Sequence, residues 1–273
     1  MSKCKYCGKE AGLFKDEHEE CEQIYKNGQR KITNFAHSSI IAGSEYSKID
    51  DVVKEIAVNS FHKESEIRSL LLHVWRYIID ETLDKSLFSK EQENTMLEIL
   101  NTFNFSDSEI GDRYKKLVKS LVIRDLVEGE IPQRVTPNGP MPFRFQKNEK
   151  LVWLFNPCGF YQSKTTTIRK GEHAGVSLKI MKGVYFRTGG FTSRPVTSKS
   201  VVLIAAGLLA VTDKHVYFYS PKKAFRIPYT KIIAFTPYND GITIHKDTKE
   251  KPFIFQTFDG WFTYNLLMNL SQR

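Results

Sequence analysis

Four residues near the start of the chain constrain it more than any other feature. Cys4, Cys7, His18 and Cys21 form the pattern C-x2-C-x10-H-x2-C. Three thiolates and one imidazole at this spacing suit tetrahedral zinc. The first pair closes a tight turn, and Gly8 directly after Cys7 lets the backbone curl round a metal. The second pair predicts both donors on one turn of a helix over about residues 16–25, with Asp16 and Glu17 favourable in its first turn. So short a segment buries no core, so bound metal would supply its folding free energy. Gly12, Leu13 and Phe14 are expected to form a small apolar plug between knuckle and helix. Four protein donors leave no open position, which favours a structural ion over a catalytic one. The competing readings are three free thiols beside an unrelated histidine, and redox chemistry. Cys158, in Asn156-Pro157-Cys158-Gly159, has no local partner and reads as a packed thiol.

Charge then divides the chain. Residues 1–44 carry 7 basic and 6 acidic side chains, residues 45–130 carry 12 and 18, and residues 131–273 carry 21 and 7. An acidic stretch therefore precedes a strongly basic one. Between them lies a Pro/Gly-rich linker over 131–142, where prolines at 137, 140 and 142 break any helix. A field of net +14 attracts anions: lipid headgroups, nucleic acid or an acidic protein face. The longest uncharged apolar run, Val201 to Val211, has 11 residues. A spanning helix needs about 20, so none is expected. With no apolar leader in MSKCKYCGKE, the expected location is cytoplasmic, peripheral at a membrane at most.

Residues 45–130 read as an acidic α-helical bundle of four helices by their 3.6-residue apolar period. Ile49, Val52, Val53 and Ile56 share a face, as do Ile67, Leu70, Leu71, Val74 and Ile78. Capping boxes at Ser89–Gln92 and Ser106–Glu109 open the third and fourth. Residues 143–273 change to short β-strands, ending in a helix over 259–270 that carries Trp261, Tyr264, Leu267 and Met268. Strands are expected at 151–155, 176–180, 184–187, 208–212, 216–219, 225–229, 232–236, 242–245 and 253–255. The whole is an α+β multidomain chain: knuckle plus linker over 1–44, bundle, linker, and a basic barrel or sandwich capped by the last helix.

Gly207-Leu208-Leu209-Ala210-Val211-Thr212, Val216-Tyr217-Phe218, Phe225-Arg226-Ile227-Pro228-Tyr229 and Ile232-Ile233 together resemble the core of bacterial pleckstrin-homology (PH)-like and GRAM-like domains. Trp261 in a terminal helix fits the same architecture. The resemblance implies a PH-like β-barrel or sandwich that binds phosphoinositides or proteins. It places the family's lipid-binding loop between the first two strands, at residues 156–162, which hold no Lys or Arg. Basic residues cluster nearby instead: Lys164, Arg169, Lys170, Lys179, Lys182, Arg187, Arg194, Lys222, Lys223 and Arg226. The head of the chain resembles short treble-clef or zinc-ribbon knuckles at the ends of bacterial multidomain proteins. Such knuckles bind nucleic acid, bind protein or cap a fold.

No G-x-S-x-G, phosphate-binding Gly loop, G-x-G-x-x-G or H-E-x-x-H occurs. The spacing of His173, His215 and His245 gives no reason for a metal site. The expected function is a non-enzymatic adaptor: a structural zinc ion, and a PH-like domain that meets a protein partner or an anionic membrane surface. The alternatives are a nucleic-acid-binding zinc protein and an unfamiliar enzyme.

Overall fold

A computed structural model describes residues 2–12, 14–83, 86–137, 139–168, 196–247 and 251–273. These residues form two compact units, Met1–Arg124 and Asp125–Arg273, and no helix among them is long and apolar enough to cross a membrane.

The first unit opens with a two-stranded antiparallel hairpin, β1 (Ser2–Lys3) and β2 (Glu10–Gly12). Six helices follow: α1 (Glu19–Ile41), α2 (Tyr46–Asn59), α3 (Glu64–Leu83), α4 (Lys90–Phe103), α5 (Asp107–Ile110) and α6 (Arg113–Val127). The helix expected over 16–25 is thus 23 residues long and starts three residues later. It buries Gly28, Ile32, Ala36 and Ile40, one residue per turn, against α2 and α3. Tyr46, Ile49, Val53 and Ala57 do the same for α2. Leu71, Trp75, Ile78, Met96, Ile99, Leu117 and Leu121 complete this core. Each such side chain contributes roughly 1.5–3 kcal/mol by leaving water. The indole of Trp75 is satisfied by donating to the Met96 carbonyl at 3.1 Å.

The predicted capping boxes are both present. The fourth expected helix is broken, however. Gly111, at φ 58°, ends α5 after one turn, and α6 starts afresh at Arg113.

The second unit carries β3 (Leu151–Ile168), β4 (Val196–Thr212), β5 (His215–Tyr219), β6 (Ala224–Pro228), β7 (Ile232–Tyr238), β8 (Gly241–Lys246), β9 (Phe253–Gln256) and α7 (Gly260–Ser271). Seven strands make one antiparallel sheet in the order β6-β5-β4-β3-β9-β8-β7. The expected mixed α+β fold is present, with β6 and β7 as sheet edges; among the described residues the sheet does not close into a barrel. Phe160, Phe218 and Phe255 are fully buried, with ring centroids of 5.4–5.9 Å, and Phe225 packs against them. The last helix covers this layer through Phe262, edge-on to Trp153 at 4.7 Å. Asp259 caps it, accepting from the Phe262 amide.

Two readings of the strands need correction. Asn156 to Gln162 is not a loop between the first two strands; it lies inside β3, paired to β4 and, at Gly159–Tyr161, to β9. The link between the first two strands is residues 169–195, which lie outside the described residues, as do the strands expected at 176–180 and 184–187.

Candidate metal centre

The hairpin and the start of α1 hold the four candidate ligands. The Cys4 amide donates to the Lys9 carbonyl at 2.7 Å, and the Gly8 amide donates back to Cys4 at 2.9 Å. This closes the turn that presents Cys4 and Cys7, with Gly8 in the left-handed region at φ 73°. His18 stands at the N-cap of α1, in extended backbone, and its carbonyl accepts from Glu22 at 3.0 Å. Cys21 follows in the first helical turn. The expectation of two donors on one helical turn is met with one change, since His18 caps the helix from outside.

One donor atom from each of Cys4, Cys7, His18 and Cys21 lies within 4.8 Å of the others. The cluster is geometrically able to bind a metal ion. His18 Nδ1 is 3.4 Å from Cys7 Sγ and 3.6 Å from Cys21 Sγ. Its other nitrogen, Nε2, is 2.9 Å from the Glu10 carbonyl. A carbonyl only accepts, so Nε2 carries the hydrogen and Nδ1 is left as the ligating lone pair. Burial pushes the Cys4 thiol up, but hydrogen bonds from the backbone amides of Cys7, His18 and Tyr6 outweigh it and bring it down to about 6. Cys21 is pushed up to about 11, first by burial and then by the sulfurs of Cys7 and Cys4. Three thiolates this close repel one another, and a shared cation removes that repulsion.

The knuckle is tied to its surroundings on two sides. Lys5 pairs with Glu17 at 2.5 Å, and its amide donates to the Asp16 carbonyl. Tyr6, between the two ligands of the turn, packs on Tyr25 of α1 at 4.8 Å. Tyr25 lies flat on His62 at 4.1 Å and donates to Glu66 at 2.7 Å. The expected apolar plug is absent in that form: Phe14 is wholly exposed, with φ 63°, and Leu13 lies outside the described residues.

Among the described residues, Cys158, His215 and His245 each have separate partners. Cys158 is buried and pushed up to about 12 by that burial, as a packed thiol should be. His245 Nε2 meets Thr236 Oγ1 at 3.0 Å on the β7–β8 pair. His173 lies outside the described residues. His215 belongs to a polar knot that sequence reasoning missed. Glu149 receives hydrogen bonds from His215 Nδ1 (2.9 Å), Thr212 Oγ1 (2.5 Å), Tyr217 Oη (2.8 Å) and the Gln146 amide (2.7 Å). Burial raises its pKa, but these donors outweigh it and hold the carboxyl below its usual range. In the sequence Glu149 is one charge in a polar turn, so nothing there marked it.

No family model matches the chain, and no curated protein matches it either. Among solved structures it is similar to the crystal structure of N-terminally truncated linker-DH/PH domains of p115-RhoGEF. The identity is 9%, the match covers 94% of this chain and 72% of that one, and the TM-score is 0.25, a likeness too slight to bear on fold or function.

Proposed function

We propose that the chain is a non-enzymatic binding protein: a structural zinc ion clasps its head, and a PH-like domain in its second unit engages an anionic surface or a protein partner. The observation that carries this reading is the strand order. A four-strand meander, β3 to β6, and a three-strand meander, β7 to β9, join where β9 pairs with β3, and α7 then covers the core. That connectivity supports the PH-like resemblance of the 207–233 segment. It does so without a closed barrel.

Zinc is the ion that the three sulfurs and one imidazole suit best. Bound there, it would be held by Cys4, Cys7, His18 and Cys21 and would supply folding free energy, with no position left for a substrate. Electrostatics favour an anionic partner for the second unit. Lys222 and Lys223 are exposed at the β5–β6 turn, and residues 169–195 add Arg169, Lys170, Lys179, Lys182, Arg187 and Arg194 against one Glu.

Flotation of the intact protein with vesicles tests the reading. Binding to phosphatidylserine-containing vesicles, absent with phosphatidylcholine alone and weakened by salt, is expected. Equal recovery with both vesicle types, or with neither, removes the membrane half and leaves a protein partner.

A further inference from the structure

A cleft of about 510 Å³ lies between α1 and α2, lined by Asn27, Arg30, Lys31, Asn34, Phe35 and Ile56. Asn27, Arg30, Lys31 and Asn34 are all exposed and fall at i, i+3, i+4 and i+7 on one side of α1. Phe35 and Ile56 are half-buried and pack on the bundle core, giving the cleft an apolar floor.

Its charge is out of character with the unit around it. Residues 45–130 are net acidic, yet the chain has no carboxylate between Glu22 and Glu45. Several cations of the unit are engaged: Lys26 with Glu22, Lys54 with Asp50, Arg68 with Glu109, Arg113 with Asp80 and Arg124 with Glu93. Arg30 and Lys31 have no carboxylate partner among the described residues. Two unpaired cations beside two exposed carboxamides and an apolar floor match one kind of ligand. A nucleotide offers phosphate to the cations, a flat ring to the floor, and a hydrogen-bonding base edge to the amides.

We propose that the α1–α2 cleft binds single-stranded nucleic acid, with Arg30 and Lys31 on phosphate, a base over Phe35 and Ile56, and Asn27 and Asn34 on its edge. The cleft is open along α1, as a polymer requires and an enclosed small-molecule pocket is not. Five of the six lining residues belong to α1 and only Ile56 to α2, so a ligand follows one helix and lays an unpaired ring on the floor, which the stacked bases of a duplex do not do. The proposal stands on a different surface from the vesicle-binding reading and does not depend on it.

The test is fluorescence anisotropy of the intact, zinc-loaded protein with labelled 20-nucleotide RNA and DNA strands and a 20-base-pair duplex, at two salt concentrations. Single strands of one or both sugars should bind more tightly than the duplex. Arg30→Glu/Lys31→Glu should weaken binding at least tenfold and flatten the salt dependence of log K by about 1.4, the share of two phosphate contacts. Asn27→Ala/Asn34→Ala, which keeps the charge, should weaken binding severalfold with the slope unchanged. All four positions are exposed, and circular dichroism checks that each variant folds. Lys222→Glu/Lys223→Glu controls for the basic second unit. The proposal is overturned by no binding at low salt, by a preference for the duplex, or by a loss confined to the Lys222/Lys223 variant.

Discussion

The imidazole of His18 gives its Nε2 hydrogen to the carbonyl of Glu10, 2.9 Å away, and this orients the head of the molecule. The bond crosses from the last ligand pair to the hairpin that bears the first. It fixes the tautomer and the ring plane, leaving Nδ1 to face the sulfurs of Cys7 and Cys21.

Metal content follows directly. Purified under reducing conditions, the protein should carry one zinc per chain by elemental analysis, and Cys21→Ser should carry well under one. Stripping the ion with a strong chelator should lower the melting temperature of the first unit and reduce α1 helicity, with recovery on adding zinc. Metal-free protein with an unchanged melt would refute a structural ion.

Gly28→Ala sets two effects against each other. Alanine is the better helix former by about 1 kcal/mol. A methyl at Gly28, however, would collide with Cβ and Oγ of Ser60 and crowd His62 at 3.2 Å. Steric repulsion in a packed seam costs about 1–3 kcal/mol. The variant should therefore lose up to about 2 kcal/mol in urea unfolding; a gain in stability would show that the seam yields.

Glu149→Gln keeps the shape of the polar knot but replaces an acceptor oxygen with a donor NH2. At least one of the groups that donate to Glu149 then loses its acceptor inside the protein, since Thr212 Oγ1 can turn to the His215 carbonyl at 2.9 Å. A loss of about 1–3 kcal/mol is expected for the second unit. With the wild type, stability from Glu149 is present above the ordinary carboxylate range, because its folded pKa is depressed. It fades as pH falls through that lowered value. The glutamine variant should lack this acid-limb slope, and an identical slope in both proteins would rule the knot out as its source.

Arg68 and Glu109 give the same test in the first unit. Arg68 grips both carboxylate oxygens at 2.6 and 2.9 Å, and Ser106 adds its amide, so Glu109 falls to about 2. Its contribution is whole above about pH 4.5 and disappears as pH drops towards 2. Carboxyl NMR should place the Glu109 midpoint near 2, and Arg68→Met should move it up. A midpoint near 4.5 in the wild type would mean that the ion pair is not formed in solution.

Local signals carried much of this structure in the sequence. The capping boxes at Ser89 and Ser106 and the shared face of Ile49, Val52, Val53 and Ile56 are short-range chemistry, and the helices after Ser89 and Ser106 begin where the boxes say. The Cys4, Cys7, His18 and Cys21 cluster was legible because metal geometry forces a recognisable spacing on a chain. Long-range pairing was not. Asn156-Pro157 breaks the look of a strand, yet β3 runs through it with a register shift between Phe155 and Cys158. Gly111 stopped a helix whose apolar period continues past it. The Asn27–Asn34 cleft was invisible because polar residues on a helix read as solvated until Ile56 is brought alongside by the α1–α2 packing.

Cys21 and Ile32 sit on one continuous helix, and this links the two ends of the first unit as a key links bow and blade. Each residue of an α-helix advances about 100° and 1.5 Å. Inserting a single amino acid between them would swing the thiol about a quarter of a circle out of its cage, or else drag Ile32, Ala36 and Ile40 out of their seats. The length of that rod is therefore set in whole turns: three or four added residues are tolerable, and one or two are not.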